Sequence, residues 1–323
     1  MKPLIALRSV APLLLTGILV ALVQGSLPDY WYFVLVVAGI NIILAVSLNI
    51  VNGFTGQFSI GHAGFMAVGA YTAAKIVMST RGLVSTGAGE QLVFLGALAA
   101  GMVTAAIAGF LVGMPSLRLR GDYLAIVTLG FNEIIRVIIE NSEFLGQATG
   151  ISGLPKLTTL AYVGMAAAIT VMVAVRLLQS THGRALLAIR EDEVAAEAMG
   201  VDTTGYKVRA FVIAAALAGL AGGLLVFYLQ LCTPKSFTFI KSIEVVAMIV
   251  LGGLGSVSGA FLTAAVLTIL LETLRGFSEY RMVVYSLLLI FFMLGRPAGL
   301  FGTREIWDLL PRWRRKAAAG GAP

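Results

Sequence analysis

The sequence predicts an all-α polytopic membrane protein of about ten transmembrane or re-entrant helices, and three observations predict it. The mean hydropathy is +0.94. Apolar residues make up 59% of the 323-residue chain and charged residues only 12%, a balance foreign to ordinary soluble domains. The apolar residues also fall into separate runs close to the roughly 20 residues that a helix needs to cross a bilayer. These runs are residues 10–25, 31–51, 61–79, 91–114, 123–140, 159–178, 207–228, 242–254, 256–274 and 282–300. A count of eight or nine is also compatible, since several runs are short or broken by glycine. The whole of 1–323 is expected to form one transmembrane domain, with a charged loop at 180–209 and a tail at 303–323.

The first stretch, MKPLIALRSVAPLLLTGILVALVQGS, has a basic start and an apolar middle, as a signal peptide does. No strong small-x-small cleavage site follows and Trp31 soon opens another run, so it is expected to stay as an uncleaved first span. Cys232 is the single cysteine, which excludes an internal disulfide and a thiolate metal cluster. Lys+Arg number 23 against 16 Asp+Glu, and in such a chain a basic excess reflects topology before nucleic acid. With the amino terminus cytoplasmic, Lys2, Arg8, Arg118, Arg120, Arg184, Arg190, Lys207, Arg209 and the basic residues of 304–316 fall inside. Arg81, Lys156, Lys235, Lys241, Arg275 and Arg281 fall outside. That asymmetry predicts both termini, and the 180–209 loop, on the cytoplasmic side.

The next informative stretch is VNGFTGQFSIGHAGFMAVGAYTAA from Val51. Gly53, Gly56, Gly61, Gly64 and Gly69 weaken a helix and allow close backbone approach. A broken or re-entrant segment is therefore expected, of the kind tolerated at membrane depth only inside protein or beside a watery cavity. Either the freed helix start faces an anionic group with His62 in the break, or the glycines only pack helices and His62 caps a neighbour. Farther on, Asp122 is placed to cap a helix from Tyr123 that carries Asn132, Glu133 and Arg136 within an apolar run. Ionisable groups at that depth must face protein or water, and Glu133 and Arg136 at i,i+3 are also spaced to pair with each other. A second glycine-rich break, GGLGSVSGAF from Gly252, echoes the first. Paired breaks of this sort point to a midplane path, although such runs also pack ordinary helices. The ending PRWRRKAAAGGAP reads as a tail whose Trp313 and arginines sit at lipid head groups.

Ser180–Arg209 is the one long charged island. A helix is predicted over Arg184–Met199, about 24 Å long, with Thr181 as its cap and Gly200 as its glycine stop. Glu193 and Glu197 are like charges one turn apart, so a basic group is expected nearby. The pattern Ala195-Ala196, three residues, Gly200 resembles the EAA loop of ABC importer permeases, whose loop is the coupling helix that fits a cleft on an ATPase subunit. The family's glutamate directly precedes the two alanines, where this chain has Val194, with Glu193 one place earlier.

GQFSIGHAGFMAVGAY from Gly56 resembles the signature of the branched-chain amino acid ABC permease family. GDYLAIVTLGFNEIIRV from Gly121, GRALLAIREDEVAAEAMGV from Gly183 and VVAMIVLGGLGSVSGAF from Val245 are similar to further family motifs, in order. The ending GRPAGLFG from Gly295 resembles the LivM-type of its two permease forms. The resemblance implies uptake of leucine, isoleucine, valine or related hydrophobic amino acids through a bacterial-type inner membrane. It implies a second permease chain, two cytoplasmic ATP-binding subunits and an extracytoplasmic substrate-binding protein as partners. Gly56, Gly61, His62, Gly64, Asn132 and Glu133 are the candidate substrate path, and Arg190, Glu193, Ala195, Ala196, Glu197 and Gly200 the candidate ATPase-docking residues. No phosphate loop and no His-Glu-x-x-His motif is present, so neither ATP hydrolysis, a cofactor nor a bound metal is expected of this chain. Two alternatives stand beside this reading: urea or short amides as cargo, and a self-sufficient carrier driven by an ion gradient.

Overall fold

Every predicted span from residue 31 onward becomes a helix. The computed structural model describes residues 28–80, 87–117, 123–274, 281–295, 299–302 and 305. The expected first span at 10–25, residues 118–122 with Arg118, Arg120 and the expected cap Asp122, and the tail beyond Glu305 lie outside the described residues. The bundle comprises α1 (Asp29–Asn52), α2 (His62–Thr80), α3 (Gly87–Ser116), α4 (Tyr123–Asn141) and α5 (Leu160–Gln179). After two short helices, α6 (Thr181–Glu191) and α7 (Glu193–Ala198), come α8 (Thr203–Leu229), α9 (Phe239–Gly252), α10 (Val257–Thr273) and α11 (Arg281–Gly295). Among the described residues, α1, α3, α5 and α8 are long and apolar enough to cross a membrane by themselves.

Two helices form the centre. In its most apolar stretch α1 is 83% buried and α8 78%, against 33% for α3, so α3 lies at the periphery. Small residues let the helices meet closely where no hydrophobic force drives them together in lipid. A Cβ on Gly69 of α2 would lie 2.3 Å from the Cα of Gly219 in α8, and one on Gly101 of α3 would lie 2.7 Å from the Gly69 carbonyl. Three helices thus cross at a closeness that only glycine permits.

The two ends differ in build. At one, β1 (Ile151–Ser152) pairs antiparallel with β2 (Leu231–Cys232). Tyr30 Oη donates to the Glu272 carbonyl at 3.2 Å, and the Leu160 N–H donates to Tyr32 Oη at 2.8 Å. Cys232 is buried there, and that burial pushes its thiol up to about 12. At the other end lie the α1–α2 loop, the α6–α7 hairpin, the α9–α10 loop and residues 299–302. Glu305 caps α10 from this end: its carboxylate accepts from the N–H groups of Val257 at 2.7 Å and Ser258 at 2.9 Å, and from the Ser258 hydroxyl. Such a carboxylate satisfies donors that a helix start leaves unpaired.

The charged island departs from expectation in two respects. It is two helices, not one, because the chain is extended at Asp192 (φ −156°). The Asp192 carboxylate accepts from the N–H groups of Val194 at 2.9 Å and Ala195 at 3.0 Å. Aspartate competes with the helical backbone in this way and favours caps over interiors. The cap of α6 is Ser180, whose hydroxyl accepts from the Gly183 N–H, and not Thr181. Gly200 takes the left-handed conformation (φ +83°) expected of a glycine stop.

Candidate functional site

Arg190, near the end of α6, reaches inward. Its Nη1 donates to the Gly53 carbonyl at 3.0 Å. A Cβ on Gly56 (φ +69°) would lie 2.9 Å from Arg190 Cγ, and one on Gly255 (φ +94°) 2.6 Å from Arg190 Nη1. Asn49 stitches the same place from α1, its Oδ1 accepting from the Gly255 N–H at 2.9 Å and its Nδ2 donating to the Ser256 carbonyl at 3.0 Å. Behind them the 299–302 segment runs along the end of α9. Leu300 N–H donates to Leu251 O at 2.8 Å and Phe301 N–H to Gly252 O at 3.2 Å. The two glycine-rich breaks therefore meet, with one guanidinium between them, at the α6–α7 end of the bundle.

From Gly53 the chain turns back toward the middle. His62 opens α2 beside Ser47, with Nε2 and Oγ 2.8 Å apart, and Ser47 lies five residues before the end of α1, about 7.5 Å deeper along it. The Ile60 N–H donates to Thr128 Oγ1 at 3.1 Å and the Ala63 N–H to Ser242 Oγ at 2.9 Å. A Cβ on Gly64 would lie 3.1 Å from both Asn132 Cα and Asn132 Oδ1. Asn132 is 1% exposed, and neither polar atom of its amide has a hydrogen-bond partner among the described residues. An unsatisfied buried amide costs about 1–3 kcal/mol, which a polar guest would recover. The start of α2 is thus clasped by polar side chains from α1, α4 and α9.

The structure therefore brings together Gly61, His62, Gly64 and Asn132 of the six candidate path residues. Gly56 stands apart, against Arg190, and Glu133 pairs with Arg136 at 2.8 Å. Ser47, Thr128 and Ser242 complete the polar layer. Their signal in the sequence was slight, since single hydroxyls inside apolar runs commonly bond to their own helix.

The candidate docking residues divide. Ala195, Glu197 and Gly200 face outward, with Val194 62% and Met199 84% exposed beside them. Ala196 is buried, and Glu193 turns inward to Lys207 of α8, Oε2 to Nζ 2.5 Å, with the Lys207 side chain 1% exposed. Lys207 is the basic group that the Glu193–Glu197 pair required. Removing one partner of a buried ion pair is costly because the other charge stays behind. Glu193→Gln, which strands the buried ammonium, is expected to cost about 3 kcal/mol and to exceed Lys207→Met, which leaves the partly exposed carboxylate. Thermal unfolding of the detergent-solubilised variants measures this; an equal or reversed order would show that the pair does not hold α7 to α8. Among the described residues no group of His, Cys, Asp or Glu is placed to hold a metal ion.

Long apolar helices packed through glycines around a buried polar layer make a multi-pass membrane protein. The chain belongs to the branched-chain amino acid transport system permease component family, whose model matches residues 30–293. It is 39% identical to the high-affinity branched-chain amino acid transport system permease protein LivM of Salmonella typhimurium over 296 residues, which cover 81% of this chain and 67% of that protein. The Escherichia coli LivM protein is 38% identical over the same shares of the two chains. The Escherichia coli permease protein LivH is 26% identical over 285 residues, covering 82% of this chain and 92% of that one. No solved structure matches the chain.

Proposed function

We propose that this chain is a membrane permease subunit of an ATP-driven importer of branched-chain, hydrophobic amino acids. Its partners in this reading are a second permease chain, two cytoplasmic ATP-binding subunits, an extracytoplasmic substrate-binding protein and the surrounding lipid. The α6–α7 hairpin and both termini lie on the cytoplasmic side, and the outward face of α7 docks an ATPase. The observation that carries the reading is the Arg190 link. A displacement of the hairpin reaches Gly53 and Gly255 directly, and through them the starts of α2 and α10. The substrate passes the start of α2, where backbone exposed at Gly61 and Gly64, the helix N-terminus and the Asn132 amide meet its carboxylate and ammonium. The names of the relatives favour branched-chain amino acids over urea or short amides as cargo.

Uptake into membrane vesicles that carry the complete assembly tests the energy source. Leucine accumulation is expected to stop when ATP is withheld and to continue when the proton gradient is collapsed. The opposite pattern would replace the importer by an ion-coupled carrier.

A further inference from the structure

The seam between α2 and α4 opens beyond the polar layer. Outward from Gly64, one face of α2 carries Val68, Thr72 and Lys75, each three or four residues after the last. Ile135 and Ile139 stand opposite on α4, and Phe144, in the turn Glu143–Leu145 that follows it, completes the outer end. A cavity of about 480 Å³ lies between these rows, within the roughly 300–1,000 Å³ of small-molecule sites. Its walls are mostly apolar. The hydroxyls of Tyr71 and Thr72, which also border it, already donate to the Cys232 carbonyl at 3.2 Å and the Val68 carbonyl at 2.8 Å. The group left over is the Lys75 ammonium.

Lys75 is half-buried, with Nζ 4.1 Å from the centre of the Phe144 ring and no carboxylate partner among the described residues. The other two lysines on the bundle helices are paired, Lys207 with Glu193 and Lys241 with Glu244. The α4 carboxylates Glu133 and Glu140 are held by Arg136. A ring face steadies a cation, but an ammonium partly removed from water still favours an anion. The inner end of the cavity adjoins the polar layer. Ile135, part of its wall, has Cδ1 3.2 Å from where a Cβ on Gly64 would stand, and Asn132 Oδ1 is 3.1 Å from the same point.

We propose that this cavity is an outer binding site for the imported amino acid, with its carboxylate on the Lys75 ammonium and its aliphatic side chain against Ile135 and Ile139. The assignment rests on the importer reading and says where the cargo waits before it reaches the start of α2. A lone cation in an apolar cavity selects a ligand that joins an anion to a short aliphatic group. Urea and short amides carry no anion and are disfavoured here. The Tyr71–Cys232 bond ties the cavity to the β1–β2 end, which is extracytoplasmic in the proposed orientation, so the site faces the side from which substrate arrives.

The test uses vesicles that carry the complete assembly and the diazirine analogue of leucine. After irradiation, mass spectrometry is expected to find adducts on α2, α4 and the Glu143–Leu145 turn. Excess leucine should remove them, and 3-methylbutylamine, which lacks the carboxylate, should not. Lys75→Met keeps the stem and the packing, so the chain should insert and keep its thermal stability, while labelling falls on the order of tenfold with the loss of one charge-assisted contact. Lys75→Arg, which retains the charge, should restore most of it. Labelling indifferent to excess leucine, as a lipid-filled cavity would give, equal displacement by the amine, or full labelling of Lys75→Met would each overturn the site. Vesicles that accumulate no leucine would overturn the importer reading and this site with it; uptake without adducts in the cavity would overturn the site alone.

Discussion

Gly64→Leu is expected to abolish amino-acid uptake in an assembly that still reaches the membrane. Between α2 and α4 there is no room for the new side chain: its Cβ alone would stand 3.1 Å from Asn132 Cα and 3.2 Å from Ile135 Cδ1. Overpacking of this kind costs about 1–3 kcal/mol, and α2 is the element that α4 meets most. The helix must therefore shift, and the polar layer of His62, Thr128 and Asn132 separates. Asn132→Leu distinguishes disturbed packing from a disabled path. Replacing an unsatisfied buried amide by an apolar group of similar size should raise thermal stability, yet uptake should fall, because the group waiting for the substrate is gone. Normal uptake by both variants would reduce this layer to helix packing.

Val194→Asp and Met199→Asp are expected to release the ATP-binding subunits while leaving the bundle intact. These side chains are 62% and 84% exposed on a short helix whose other side is fixed by Ala196 and the Glu193–Lys207 pair. Apolar residues so placed have no structural task within this chain. Removing an apolar anchor from the centre of an interface costs about 2 kcal/mol, on the order of 30-fold in affinity. Co-purification of the ATPases with each variant measures it, and full retention by both would remove α7 from the docking surface. Ala196→Trp is a different experiment. Ala196 faces the bundle, so bulk there disturbs the permease before it meets any partner.

The sequence determined the class of fold and nearly all the helices. Each apolar run from residue 31 onward is long enough to be a helix, and inside a bilayer an unbonded backbone has no alternative partner, so length and hydropathy suffice. Local chemistry was legible too: Gly200 stops α7 through its own positive φ, and the glycine runs mark the breaks after Asn52 and Gly252. Even the need of Glu193 and Glu197 for a basic neighbour could be read from spacing. What the tertiary structure decided is which distant groups meet. Arg190, a docking candidate by sequence, lies between Gly53 and Gly255; Glu193 belongs to Lys207; Glu305 caps a helix that starts 48 residues before it. The α6–α7 break at Asp192 follows from a side chain choosing backbone N–H groups over helix continuity. In a chain apolar on nearly every face, the hydrophobic pattern that tells a soluble helix which way to turn is almost absent. Orientation is then decided by a few close glycine approaches and buried polar pairs, and those depend on where the chain returns in space, not on the spacing of residues along it.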